Sequence, residues 1–303
     1  MAKSTRITEL DFDQIKNNLK TYLKGQSEFK DYDFEGAGLN MLLDVLAYNT
    51  HYQSFYANMV SNEMFLDSAV LRDSVVSLAK HLGYTPRSSR AATATVNVKT
   101  SGVTTNPGTL EEGAVFTSTK DNVTYYFTSI NNVKYIDSGD GNFTANGVII
   151  KEGLRTSSSF IKNDQDLDQK FIIPSNTVDT TTLDVRVQTS ITDQSGANKP
   201  WLLSSDFNTL TSTSKVYFLQ EVENGQFEVY FGDGIVGEGL SDGNLITVSY
   251  ISTNGSVANG IGNADKTTAR TFTYVNAPTY DVAVTVAAMG GDAPERNKLL
   301  RLR

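Results

Sequence analysis

The best match to a chemical motif lies at 231–237, FGDGIVG, where Gly232, Gly234 and Gly237 fall at the G-x-G-x-x-G spacing that seats a dinucleotide pyrophosphate. That chemistry requires a strand, a glycine turn, a helix whose N-terminus faces the phosphates, and an acid about 20 residues further on for the ribose. The strand is present as EVYF. The helix position, however, is occupied by Glu238-Gly239-Leu240-Ser241-Asp242-Gly243, and two more glycines there cost a helix about 1 kcal/mol each. No Asp or Glu occurs between Asp242 and Asp265, and 245–251 is β-branched and reads as another strand. The segment 231–260 is therefore expected to be a glycine-rich connection between two antiparallel strands. Gly232, Asp233, Gly234 and Gly237 mark its turn, where positive φ calls for glycine.

Other candidate chemistry also fails on spacing. Asp164, Asp166 and Asp168 imitate the start of a calcium loop, but Gln169 replaces the sixth-position glycine and Ser175 the twelfth-position glutamate. DSGDGN at 137–142 has glycines where ligands should be and reads as a hairpin turn. A glycosidase needs two carboxylates held about 5 to 10 Å apart. Glu111, Glu112, Glu221 and Glu228 are available, yet the last two fall on the outer face of a predicted hairpin. His51 lies mid-helix and His81 at a helix C-terminus, and neither has a nucleophile beside it. Trp201, after a proline, reads as a core anchor. With no cysteine and two histidines, thiolate zinc sites, disulfides and multi-histidine metal sites are excluded within one chain. The net charge of −8 argues against a nucleic-acid groove, and the dense basic cluster is confined to 296–303. No catalytic, cofactor-binding or metal site is expected, and no small-molecule substrate. The N-terminus lacks the apolar core of a signal peptide, and no run approaches 18 apolar residues. The chain reads as soluble, folding in a reducing cytoplasm.

The elements behind these residues change period once. Residues 1–86 are helical, 87–289 are strands and turns, and 290–303 form a basic tail: an α+β chain with about three helices followed by a mainly antiparallel β domain. The first helix is expected to be capped by Thr8 in a box with Asp11, to turn Phe12, Ile15, Leu19, Tyr22 and Leu23 to one face, and to stop at Gly25. The second begins near Gly38 with a stripe of Leu39, Leu42, Leu43 and Leu46, and also carries Tyr48, Tyr52, Phe55 and Tyr56. So many large side chains around one helix call for burial on more than one side, which makes these aromatics partner-contact candidates. Tyr32 and Phe34, in the preceding loop, are candidates too, against the plainer reading that they plug the local core. The third helix runs from about Ser68 to Gly83 on Leu71, Val75, Leu78 and Leu82. The connector TPRSSRAA is a hinge candidate. In KVYFLQEVENGQFEVYF, Asn224 and Gly225 read as a two-residue type I′ turn that sets Val222 opposite Phe227 and Phe218 opposite Phe231.

Taken together, DYDFEGAGLNMLLDVLAYNTHY, LRDSVVSLAKHLGYTPRSSRAA, FGDGIVGEGL and VSYISTNGSVANG, followed by Gly290-Gly291-Asp292 and Glu295, resemble the baseplate wedge subunits of contractile-tailed (myovirus) bacteriophages, within the baseplate J-like family. The resemblance implies a non-enzymatic scaffold in the virion tail. Such subunits pair with one another and with other wedge proteins through helical bundles, close a ring around the hub, and support sheath initiation and contraction. Family members continue past the Gly-Gly-acid motif, whereas ERNKLLRLR does not resemble that continuation, so a truncated version is expected. The alternative is a carbohydrate-binding or depolymerising tail module.

Overall fold

The computed structural model describes residues 11–29, 38–100, 103, 105–139, 141–196, 199–204, 209–263 and 271–297. Two compact units emerge, Met1–Tyr84 with Asn297–Arg303, and Thr85–Arg296.

The first unit contains α1 (Phe12–Lys24), α2 (Leu39–Glu63) and α3 (Arg72–His81). The cap of α1 is Asp11, whose carboxylate accepts the Gln14 N–H at 2.9 Å, which corrects the expected box; Thr8 lies outside the described residues. The helix stops at Gly25 as expected, but with φ of −76°, so the glycine is not there for left-handed backbone. A different device starts α3. The Glu63 carboxylate, at the end of α2, reaches across the turn to accept the N–H groups of Val70 at 2.8 Å and Leu71 at 3.2 Å. The buried residues of α3 are Val75, Val76 and Ala79, and the first two pack with Ala69, Leu66, Leu78 and Tyr84. Leu71 and Leu82, expected in that stripe, are 53% and 74% exposed. They sit at the two caps, because the helix is shorter than its apolar pattern.

The second unit is built from two seven-stranded sheets and a short pair, Thr109–Leu110 with Val133–Lys134. One sheet runs in the order Thr273–Tyr274, Val115–Lys120, Val123–Ser129, Asn142–Glu152, Thr93–Lys99 and Asp281–Met289, with Ile136–Gly139 added to Asn142–Glu152. Alternation makes it one-sided: in TATVNVK, Ala94, Val96 and Val98 go inward and their neighbours outward. Phe116, Phe127 and Ile150 fill the same core, where Phe272 meets Phe127 edge-on at 4.8 Å. The other sheet runs Leu154–Ile161, Leu245–Ser252, Val178–Gln188, Pro200–Leu203, Val216–Glu221, Phe227–Phe231 and Phe171–Ile172. Among the described strands, pairing is antiparallel except where Leu202 and Leu203 lie parallel to Val216 and Tyr217. Trp201 is buried here and stands edge-on to Phe231 at 5.2 Å, as a core anchor.

The hairpin departs from expectation by one residue. Asn224 and Gly225 do adopt positive φ, 61° and 71°. Glu223 joins them in the loop, because the Val222 N–H donates to the Gln226 carbonyl at 2.8 Å and closes the ladder one step earlier. Tyr217 therefore faces Phe231, Leu219 faces Val229, and Glu221 faces Phe227. A one-residue slip moves every side chain to the opposite face. Tyr217 joins the core, while Phe218 stacks on Tyr230 at 5.2 Å on the other side.

Two further expectations fall at the ends of this unit. The connector offered as a hinge candidate is packed along its second half: Ser88, Ser89, Ala91 and Ala92 are all buried. Residues 290–296 do not belong to a tail. Arg90 and Asp292 exchange both backbone hydrogen bonds, at 2.9 and 3.0 Å, and Glu295 is buried.

Candidate partner-binding surface

The two sides of α2 are reversed relative to an ordinary surface helix. Met41, Val45, Tyr48, Tyr52, Phe55 and Met59 recur at alternating spacings of four and three, the heptad seam of a helix that packs along another helix. All six are exposed. On the adjoining face, about 100° round the helix, a second heptad, Asn40, Asp44, Ala47, His51, Ser54, Asn58 and Ser61, is buried or half-buried within the unit. Apart from buried Leu43, small and polar groups thus face inward, and large apolar ones face outward. The inner seam is only partly satisfied. Lys16 Nζ lies 2.5 Å from Asp44 Oδ1, while Asn40 Oδ1 and His51 Nδ1 have no hydrogen-bond partner among the described residues.

The outer seam carries no charge. The acidic residues of α2 are Asp44 and Glu63, one engaged with Lys16 and the other capping α3. Three tyrosines a turn apart form a ladder, with ring centroids 4.6 Å apart for Tyr48–Tyr52 and 6.3 Å for Tyr52–Tyr56, and Phe55 leans on Tyr56 at 5.9 Å. Aromatic rings stacked along a helix offer large contact area at low entropic cost.

The structure brings four of the sequence candidates together here, Tyr48, Tyr52, Phe55 and Tyr56, all exposed. Tyr32 and Phe34 lie outside the described residues. The leucine stripe is corrected: Leu43 is buried, but Leu42 and Leu46 are 59% and 52% exposed, on a further exposed face of the helix. Met41, Val45 and Met59 were missed, although their heptad spacing is legible in the sequence.

The glycine segment is a loop tied back to the sheet, where the Gly237 and Glu238 N–H groups donate to the Thr211 and Ser214 carbonyls at 3.2 and 2.8 Å. Asp233 Oδ1 accepts the N–H groups of Ile235 and Val236, both at 2.9 Å, and these bonds hold the Asp233 carboxyl below its ordinary pKa. Gly234 and Gly237 have φ of +85°, as expected of the turn. Gly232 is needed for close approach instead, since a Cβ there would lie 2.4 Å from the Val236 carbonyl oxygen. The flanking strands, Phe227–Phe231 and Leu245–Ser252, are not neighbours. Val216–Glu221, Pro200–Leu203 and Val178–Gln188 separate them, so the loop crosses the sheet.

The acids offer no paired site. Glu221 and Glu228 are buried on opposite faces of the hairpin, with Glu228 Oε2 taking a hydrogen bond from Gln220 Nε2 at 2.8 Å. Glu112 is ion-paired to Arg155. Glu152, fully buried, accepts from Thr253 Oγ1, the Asn254 N–H and Asn254 Nδ2 at 2.6 to 2.9 Å. Among the described residues no group of three or more His, Cys, Asp or Glu is placed to hold a metal ion, and no helix is long and apolar enough to cross a membrane.

With α1, α2 and α3 in view, comparison with known proteins becomes specific. Residues 11–84 match the family described as baseplate wedge protein gp6-like, helical domain. The gp6-like match thus covers the three helices and both seams of α2. Over 319 aligned positions the chain is 32% identical to the baseplate wedge protein gp6 of Enterobacteria phage T4, an alignment covering 96% of this chain. The chain spans about half the length of that relative, 46%. Among solved structures, a baseplate of the anti-feeding prophage, determined by cryo-EM, aligns over 99% of this chain and 60% of its own at 12% identity, with a TM-score of 0.34.

Proposed function

We propose that this chain is a structural subunit of a phage tail baseplate wedge, located in the virion, that joins its neighbours through the outer seam of α2. The observation that carries the reading is a complete, uncharged, exposed heptad on a helix whose adjoining face is already used. Such a seam is the packing surface of a helical bundle, and one left in water is an unfinished bundle. The gp6-like match of 11–84 and the 32% identity to a baseplate wedge protein support the same placement.

The partners are a second copy of the chain and other wedge proteins, with sheath-initiating proteins further along the assembly. The wedges close a ring around the hub, and the ring supports sheath assembly and contraction. The role is non-enzymatic, supported by carboxylates that are buried singly and held by hydrogen bonds, three of them at Glu152. The J-like relationship belongs to the same proposal, on the FGDG and Gly-Gly-acid segments.

Light scattering of the purified chain, alone and mixed with a wedge protein of the same phage, tests the reading. Association at micromolar concentration is expected, and Tyr52→Ala with Phe55→Ala should weaken it at least tenfold. A chain that stays monomeric in every mixture while retaining host polysaccharide would refute it.

A further inference from the structure

The β unit starts and finishes at one crossing. Arg90 and Asp292 exchange backbone hydrogen bonds at 2.9 and 3.0 Å. One step outward, the Glu295 N–H donates to the Arg87 carbonyl at 2.9 Å and the Arg87 N–H to Glu295 Oε2 at 3.1 Å. Arg87 also ion-pairs with Asp292 at 2.6 Å. Entry and exit therefore run antiparallel, with both free ends leaving on the Arg87–Glu295 side.

Each segment is also tied inward. On the entry side, the Ala91 N–H donates to buried Asp179 at 3.1 Å, Ser88 Oγ accepts from the Thr180 N–H at 3.0 Å, and the Ala92 carbonyl accepts from the Glu152 N–H at 2.9 Å. On the exit side, the Asn259 amide grips both backbone groups of Gly291 at 2.9 Å. Gly291 must be glycine, since a Cβ would lie 2.3 Å from the Gly255 carbonyl oxygen.

We infer that this crossing is a clasp that carries tension along the chain past the β sheets. Pull arriving from residue 84 and from residue 297 meets first at Arg87 and Glu295, then at Arg90 and Asp292. The sheets bear no load until the inner pair parts. Opening the clasp frees about a dozen residues, which at ~3.4 Å each lengthens the chain by about 40 Å. For a subunit of a machine that rearranges, the clasp separates the path of force from the folded core.

Hydrogen exchange on the full chain, read by mass spectrometry, tests the clasp without any partner, so its outcome is independent of the wedge assignment. Peptides containing Arg90, Ala91, Gly291 and Asp292 should exchange as slowly as the strand Thr93–Lys99. Gly291→Ala should speed entry and exit peptides together by at least tenfold and leave Leu245–Ser252 unchanged. Should Gly291→Ala fail to fold, Arg87→Ala removes only a partly exposed ion pair and should move both peptides in the same direction by less. An entry peptide that exchanges as fast as the loop 189–196, or an exit peptide that responds alone, overturns the inference. Because the chain has no cysteine, Tyr84→Cys and Asn297→Cys supply handles for pulling the full chain. A step of about 40 Å before the main rupture is expected; rupture in one event with no prior step also overturns it.

Discussion

The helical unit and the β unit bury opposite chemistries. In the β unit the apolar side chains are enclosed, and the polar groups buried with them are answered bond for bond, as at Glu152 and Asp179. In the helical unit α2 turns small and polar residues inward and leaves Met41, Val45, Tyr48, Tyr52, Phe55 and Met59 in water. The first arrangement is that of a finished core. The second is the pattern of a surface that the proposed partners would bury, so under that proposal stability and assembly reside in different units of this protein.

The contrast can be broken at four points. The largest effect is expected from Phe127→Ala, which removes a fully buried ring from its edge-on contact with Phe272 and should cost about 3–5 kcal/mol in urea denaturation of the β unit. A loss below about 1 kcal/mol would mean that the core is not closed there. Next is a matched pair in the helical unit. Val75→Asp buries an unpaired charge in α3 and should abolish helical circular dichroism from that unit, whereas Val45→Asp, on the outer seam, should change the stability of the isolated chain by less than ~0.5 kcal/mol and abolish association. Leu42→Asp and Leu46→Asp, also at exposed positions, should likewise leave the stability of the isolated chain nearly unchanged, where the leucine stripe alone would have assigned them to unfolding. Equal melting losses for Val75→Asp and Val45→Asp would erase the distinction between the two faces.

A smaller effect is expected at Gly237, where φ is +85° and a Cβ would sit 3.1 Å from Val216 Cγ2. Gly237→Ala should cost about 1–3 kcal/mol, read as a lowered denaturation midpoint with association untouched. The smallest concerns pH at Asp233. The N–H groups of Val236 and Ile235 hold its carboxyl below the ordinary value of 3.8. The stabilisation is therefore complete above that value and lost as pH falls through the depressed folded pKa. Amide exchange at Ile235 and Val236 should accelerate on acidification in the native chain and keep its low-pH protection in Asp233→Asn, whose side-chain oxygen still accepts. Identical pH profiles for the two would show that the carboxylate does not hold the loop.

What the sequence discloses depends on distance along the chain. The helices, the change of period near residue 90 and the positive φ at Asn224, Gly225, Gly234 and Gly237 are local, and they stem from spacing and residue type. The hairpin register does not, because the choice between a two- and a three-residue loop rests on whether Val222 pairs with Gln226. The orientation of α2 is equally hidden. Apolar residues occupy more than half of its circumference, and which stripe turns inward is decided by where α1 packs against it. Gly290-Gly291 looks like the edge of a tail until Asn259 and Gly255, distant in sequence, are seen to receive it. The partner-contact aromatics are legible as an excess of large side chains; the heptad that orders them is equally local, but it is masked by the leucine stripe beside it.

The absence of charge on the outer seam of α2 sets how an assembly built on it responds to its medium. With no ion pair to screen, raising sodium chloride should leave association nearly unchanged. Contact made by apolar burial alone strengthens in sulfate and weakens on cooling. A wedge joined through this helix therefore comes together on warming and loosens in the cold, and an assembly titrated apart by salt at constant temperature would have to be held by some other surface.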